Sequence, residues 1–280
     1  MPALIPPLIA SLTPLYPPEE ARAIVYALLE DAFALTRKDI LLGKAESLSD
    51  EEKSRLHALM ARLQQGEPLQ YVVGFAYFGS LRLSVSPATL IPRPETLELV
   101  EWIATDYANT APTVLDIGTG SGCIAISLAL RLPDASVTAW DISPEALAVA
   151  QLNAQHCSAK VAFLQTDALK PCNPAHNTTV IVSNPPYICE CERTDMERNV
   201  LDYEPATALF VPDEAPLLFY KALAMRGKEL LTPGGCIYME INRAYGQAVC
   251  QLFKNEGYSD VTLRKDAFGN DRMVKATLHS

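Results

Sequence analysis

The sequence predicts an α/β fold, a doubly wound and mostly parallel sheet preceded by a small helical domain, and three observations predict it. From Thr113 onward short apolar runs alternate with helical ones, the pattern left by strands that pair in parallel through helical crossovers. The first of those runs leads straight into a glycine-rich turn, Gly118-Thr119-Gly120-Ser121-Gly122, at the junction where doubly wound sheets bind ligands. Before residue 70 the apolar spacing is helical, with no such alternation.

From Pro18 to Gln65 the helical stripes are Ala21, Ile24, Val25, Leu28 and Leu29, then Leu56, Leu59, Met60 and Leu63. Ser49 ahead of Glu51 and Glu52 reads as an N-cap with an acidic first turn. Tyr71 to Val85 is rich in β-branched and aromatic residues punctuated by Gly74 and Gly79, a short hairpin or extended linker. Pro94 followed by Glu95 and Glu98 starts a helix that runs to about Tyr107. Strands are then expected at Val114–Ile117, Ser136–Trp140, Val161–Leu164, Val180–Ser183 and Cys236–Ile241, with closing strands about Val261 and Met273. Helices are expected at Cys123–Leu132, Pro144–His156, Leu217–Leu231 and Tyr245–Glu256. The domains are a helical one over 1–70, a hairpin linker over 71–92 and a catalytic domain over 93–280.

Composition narrows the function. A net charge of -10 with a pI near 4.9 argues against long phosphate tracts as the main binding surface, because neutralising them takes clustered Lys and Arg. The apolar start is broken by Pro2, Pro6, Pro7 and Pro14, and the first basic residue is Arg22, so the charged region of a signal peptide is missing. No run of about 18 apolar residues escapes charge or proline. A cytoplasmic protein without a membrane span is expected. The seven cysteines lack a repeated spacing, which suits reduced thiols. Cys189 and Cys191 have no second pair or nearby His, and His57, His156, His176 and His279 are dispersed, so no metal is expected.

The glycine turn reads Asp116-Ile117-Gly118-Thr119-Gly120-Ser121-Gly122, an acid two residues ahead of G-x-G-x-G. The longer dinucleotide spacing holds a pyrophosphate at a helix N-terminus, whereas an adenosyl sulfonium has no phosphate and fits a tighter loop. S-adenosylmethionine is therefore favoured over NAD, with Gly118, Thr119, Gly120, Ser121 and Gly122 around it. Asp141, ending the second strand, is placed to accept hydrogen bonds from ribose hydroxyls. Asp167 and Ala168, after the third, fall near an adenine.

The fourth strand ends in Ser183-Asn184-Pro185-Pro186-Tyr187. Consecutive prolines remove two N–H donors and fix the carbonyls as acceptors, and the Asn184 side-chain oxygen adds another. Acceptors held beside a sulfonium methyl receive both hydrogens of a planar NH2 group and align its nitrogen, with Tyr187 placed to stack on the flat group. Asn184, Pro185 and Tyr187 are the catalytic candidates, and Pro186 joins them around the substrate. A glutamine amide and a flipped adenine or guanine amino group satisfy the same acceptors.

Together with these segments, Pro68-Leu69-Gln70-Tyr71-Val72-Val73-Gly74, Leu90-Ile91-Pro92-Arg93-Pro94-Glu95-Thr96, Tyr203-Glu204-Pro205, Ala208-Leu209 and Gly269-Asn270-Asp271-Arg272 give the chain a close resemblance to the HemK/PrmC family of glutamine N5-methyltransferases. Asn184 to Tyr187 is shared with DNA and RNA amino-methyltransferases, while Ile91 to Thr96 looks characteristic of the release-factor branch. The resemblance implies a Rossmann-like class I S-adenosylmethionine-dependent methyltransferase domain. It also implies a helical N-terminal domain that helps recognise class I peptide chain release factors, and a target glutamine in their Gly-Gly-Gln motif, with no nucleic acid as partner. Gly118 to Gly122, Asp141, Ala168 and Asn184 would then contact the cofactor, and Asn184 to Tyr187 the substrate. Arg93 and Glu95 receive no role. The chain departs from the family pattern at Ala168, where a larger side chain is usual, at Val211 to Ala215, and at Ile241-Asn242-Arg243. An amino-methyltransferase of nucleic acid and a non-catalytic scaffold are the competing readings.

Overall fold

Strands buried on both faces read as unbroken apolar runs, and the run Val114-Leu115 with Ile117 shows why. Val114 packs into a core shared with the helices of one face, whereas Leu115 and Ile117 pack into a second core on the other. The structure, a computed structural model, describes residues 4–172 and 177–279; Pro2 and His176 fall outside the described residues. The chain divides into two units, one of residues 1–75 with 197–203 and one of 76–196 with 204–280.

The first unit is helical: α1 (Ile5–Leu12), α2 (Pro18–Phe33), α3 (Arg37–Leu41), α4 (Asp50–Leu63) and α5 (Leu69–Val73). Their apolar stripes meet in one core that includes Leu12, Val25, Leu28, Leu56 and Leu63. Ser49 caps α4 as expected, and its own N–H donates to the Glu52 carboxylate at 2.8 Å, completing a capping box. Two segments differ from the sequence reading. Pro6 and Pro7 do not interrupt the apolar start but sit in the first turn of α1, where the missing N–H groups are unpaired anyway. Tyr71 to Val73 are helical instead of extended, because Arg62 closes that turn: its guanidinium donates to the Tyr71 and Val72 carbonyls while gripping Glu67 at 2.7 Å. The hairpin starts only after Gly74.

The second unit opens with β1 (Phe75–Phe78) and β2 (Leu81–Ser84), then α6 (Pro94–Asp106). The alternating region follows as β3 (Thr113–Ile117), α7 (Cys123–Arg131), β4 (Ser136–Asp141), α8 (Pro144–His156), β5 (Val161–Gln165) and β6 (Thr178–Ser183). A strand β7 (Ile188–Cys189), the helix α9 (Arg198–Tyr203) contributed to the first unit, α10 (Ala206–Leu209) and β8 (Phe210–Val211) precede α11 (Leu218–Leu230), β9 (Leu231–Glu240), α12 (Gly246–Asn255), β10 (Tyr258–Lys265) and β11 (Asp271–Leu278). The seven-stranded sheet runs β10-β11-β9-β6-β3-β4-β5. It is parallel from β9 to β5, with β11 antiparallel between β9 and β10. Since β4 lies on one side of β3 and β6 on the other, their C-terminal loops part around β3. Among the described residues no helix is long and apolar enough to cross a membrane.

One glycine shows how tightly the second core is closed. Gly227 stands inside α11, where glycine costs about 1 kcal/mol against alanine, yet a Cβ there would meet the Tyr258 hydroxyl at 2.0 Å and Ile237 at 2.5 Å. That hydroxyl donates to the Ala224 carbonyl at 2.7 Å. Gly227→Ala is expected to lower stability by about 1–3 kcal/mol through overpacking, read from the thermal midpoint. Adding Tyr258→Phe, which removes the nearest atom, should return part of the loss; no return would place the strain elsewhere.

Candidate active site

The glycine turn leaves β3 tied to its neighbour. The Gly118 and Thr119 amides both donate to the Trp140 carbonyl at 2.9 Å, and the Gly122 amide donates to the Thr119 carbonyl. Gly122, expected at the cofactor, is not on the cavity wall. It is the N-cap of α7 with φ 83, and a Cβ on it would meet Ile126 at 3.0 Å and Ala150 at 3.2 Å, so it lets α7 and α8 pack closely. In front of Gly118 and Gly120 nothing lies within 4 Å, and these two present open backbone to a cavity of about 390 Å³. Asn153, buried in α8, holds the turn from behind: its Nδ2 donates to the Ser121 and Ser84 carbonyls at 2.9 Å and its Oδ1 accepts from the Ser84 amide.

Three carboxylates stand around this turn. Asp141 lines the cavity, its oxygens accepting the Gly120 amide at 2.8 Å and the Ser143 amide at 3.0 Å. A carboxylate offers about four lone-pair positions, so each oxygen keeps capacity for a ligand hydroxyl. Asp167 caps its own turn by accepting the Leu169 amide, and it lines the cavity beside Ala168, Leu169 and Ile142. Asp116 is fully buried. One oxygen accepts from the Thr119 hydroxyl and the Ala125 amide while Oδ1 has no partner, and burial pushes its carboxyl up to about 7.

These features fit S-adenosylmethionine. Open glycine backbone, the Asp141 carboxylate with free lone pairs and apolar side chains such as Ile142, Ala168 and Leu169 match a cationic, phosphate-free adenosyl group. Arg93 is the one Lys or Arg among the lining residues, and it is already paired.

At the end of β6 the Ser183 hydroxyl donates to the Ile117 carbonyl at 2.7 Å, which holds this strand end against the glycine turn. Asn184, Pro185 and Pro186 all line the cavity. Tyr187, expected to face the substrate, does not line it. Its hydroxyl donates to Glu240 at 2.9 Å, its amide donates to the Leu209 carbonyl, and β7 and β8 pair just beyond. Glu240 is buried at the end of β9, 2% exposed, and its other oxygen accepts from the Thr96 hydroxyl at 2.7 Å. Thr96 in turn accepts from Asn184 Nδ2 at 3.2 Å. Burial pushes the Glu240 carboxyl up and the Glu95 charge adds to that, while the Thr96 and Tyr187 donors and the Arg272 charge act the other way. Arg272 is anchored to Asp266 at 3.1 Å.

Sequence reasoning placed Thr96, Glu240 and Arg272 in or beside quoted segments but gave them no role, because the pairings span 144 and 88 residues. Arg93 is resolved the same way. Its guanidinium donates to Glu204 at 2.6 Å and the Ile91 amide donates to the other Glu204 oxygen at 3.1 Å, so the Leu90 to Thr96 segment and Glu204-Pro205 join through one pair whose Glu204 end is buried. Asn242, at a departure from the family pattern, has φ -64, which any residue adopts. Its Nδ2 donates to the Tyr187 carbonyl and to Glu192, and so braces the Asn184 to Tyr187 segment.

The raised Asp116 carboxyl carries a pH signature. An acid whose pKa is higher folded than unfolded stabilises the fold while protonated and loses that stabilisation as pH rises through its folded value. Thermal midpoints of the ligand-free protein and of Asp116→Asn, compared from pH 5 to 8, should diverge progressively in favour of Asp116→Asn. A constant difference would show that Asp116 does not titrate in this range.

Residues 10–74 match the PrmC N-terminal domain and residues 96–202 the methyltransferase small domain. A methyltransferase from Pyrococcus furiosus shares the fold, at a TM-score of 0.52 and 17% identity over 83% of this chain and 100% of its own. The release factor glutamine methyltransferase of Bacteroides thetaiotaomicron is 48% identical over 268 residues, 95% of this chain and 96% of its own. That of Flavobacterium psychrophilum is 39% identical over 95% of each chain, and that of Salmonella typhimurium 37% over 88% of each. With relatives of nearly its own length at such identity, and with the PrmC N-terminal domain ahead of a class I methyltransferase sheet, this chain belongs to the release factor glutamine methyltransferase family of S-adenosylmethionine-dependent enzymes.

Proposed function

We propose that the enzyme methylates the side-chain amide nitrogen, N5, of the glutamine in the Gly-Gly-Gln motif of class I peptide chain release factors, in the cytoplasm. The observation that carries this reading is the Asn184-Pro185-Pro186 corner, whose two prolines offer carbonyl acceptors and no N–H, on the wall of the cavity that the glycine turn and Asp141 also line. Gly118 to Ser121, Asp141, Ala168 and Asn184 hold the cofactor in this reading, and Gly122 acts by shaping the turn.

When bound, S-adenosylmethionine would supply an electrophilic methyl whose sulfur leaves with the C–S electron pair, and the proton displaced from the amide nitrogen would pass to water. The chain's part is alignment. Asn184 Oδ1 and one fixed backbone carbonyl of the Asn184-Pro185 run receive the two amide hydrogens, one each, and those bonds strengthen as positive charge develops on nitrogen. A carboxylate in the same place leaves the acceptors without donors, at a cost of about 1–3 kcal/mol each. Tyr187 contributes through Glu240 and by fixing the corner.

Labelled methyl transfer to a purified release factor, to its copy with glutamate for that glutamine, and to DNA and RNA tests the reading. Label is expected on the glutamine form alone; label on nucleic acid alone would overturn it. Asn184→Ala is expected to lower kcat by about 10²–10³-fold, as loss of a preorganised transition-state contact does, with cofactor affinity largely kept; equal loss of both would make Asn184 chiefly a cofactor residue. Asp141→Asn should weaken cofactor binding by about tenfold or more, measured calorimetrically, since its amide cannot replace every acceptor. Unchanged affinity would remove the ribose assignment.

A further inference from the structure

An NH2 group is received only by acceptors, so the proposed reaction works only if Asn184 offers its oxygen to the cavity and not its nitrogen. The two ends of an asparagine amide are nearly alike in size, and packing alone hardly separates them. Here the choice is made at a distance. The Glu240 carboxylate only accepts, and it takes the single hydroxyl proton of Thr96 at 2.7 Å. Thr96 then has only lone pairs left for Asn184, and Nδ2 meets them at 3.2 Å. Oδ1 is thereby turned from Thr96, on a residue that lines the cavity.

Glu240 is an expensive residue to bury, and the fold invests further in it. The Tyr187 hydroxyl fixes its second oxygen, and against the burial that raises the Glu240 carboxyl act the Thr96 and Tyr187 donors and the charge of Arg272, itself tied to Asp266.

We propose that Glu240, acting through Thr96, sets the amide orientation of Asn184 and so makes the site select an amide NH2 over a carboxylate. Glu240 and Thr96 are positioning residues in this scheme, and the scheme rests on the proposed glutamine methylation. An isosteric change tests its polarity. In Glu240→Gln the new amide satisfies every donor only by accepting from Tyr187 and donating to Thr96, since the opposite orientation strands the buried Tyr187 proton. Thr96 then donates to Asn184 Oδ1, the Asn184 amide turns over, and Nδ2 faces the cavity.

The readouts are kcat and KM for methyl transfer to a release factor, cofactor affinity, and the binding preference for its glutamine over its glutamate form. Glu240→Gln is expected to lower kcat by about 100-fold with cofactor affinity within about threefold. Its preference for the glutamine form, about tenfold or more in the wild type, should vanish or reverse, which a merely structural role would not produce. Thr96→Val should lower kcat by about tenfold or more, and Thr96→Ser, which keeps the hydroxyl, should recover most of it. Wild-type kcat and preference in Glu240→Gln overturn the proposal, as does a Thr96→Ser enzyme as slow as Thr96→Val. If the wild-type enzyme itself leaves the glutamine form unlabelled, the proposed function fails first; if it labels that form and Glu240→Gln does so equally, only the orienting role fails.

Discussion

Because β4 and β6 flank β3 on opposite sides, the chain turns one way after β3 and the other way after β5, and the loops at that end of the sheet must separate. The crevice is a consequence of strand order and right-handed crossovers before any particular side chain is considered. Everything at the site is assigned by which side it leaves from. The loops after β3 and β4 bring glycine backbone and Asp141, and the loop after β6 brings the acceptor corner. The Ser183 hydroxyl on the Ile117 carbonyl is where the two sides are held together.

Three of the buried carboxyl groups, Glu204, Glu240 and Asp116, are compensated unequally. Glu204 faces a guanidinium and a backbone amide. Glu240 has two hydroxyl donors and a nearby positive charge. Asp116 has one hydroxyl, one amide and an unpartnered oxygen. Uncompensated buried charge costs free energy, so this gradient marks where the fold gives up stability, and the least satisfied acid lies under the glycine turn.

Much of this was legible in the sequence. The alternation of apolar runs gave the strands of the sheet, the Ser49 cap and the Pro94 helix start followed from local chemistry, and the Gly118, Gly120, Asp141 and Asn184-Pro185-Pro186 positions all reach one cavity. What was hidden is of one kind. Arg62 overrides the β-branched texture of Tyr71 to Val73, Glu204 gives Arg93 its partner, and Glu240 captures the Tyr187 hydroxyl; each depends on a side chain elsewhere in the sequence that no local pattern announces. The packing role of Gly122 was hidden for a related reason. A glycine needed for helix packing and one needed for ligand approach look identical in sequence, and only its neighbours Ile126 and Ala150 separate them.

The helix α9 belongs with the first unit, although the residues on either side of it belong with the second, and there the Tyr203 hydroxyl donates to the Gln65 carbonyl. During synthesis, therefore, the helical unit emerges early but stays incomplete until residue 203 leaves the ribosome. At 5–20 residues per second that interval is on the order of 10 s. By then β3 to β6 are already outside. The two units are interleaved along the chain, so a cut between them at the hairpin would leave the first without one of its helices, and neither would be recovered whole from a simple division of the gene.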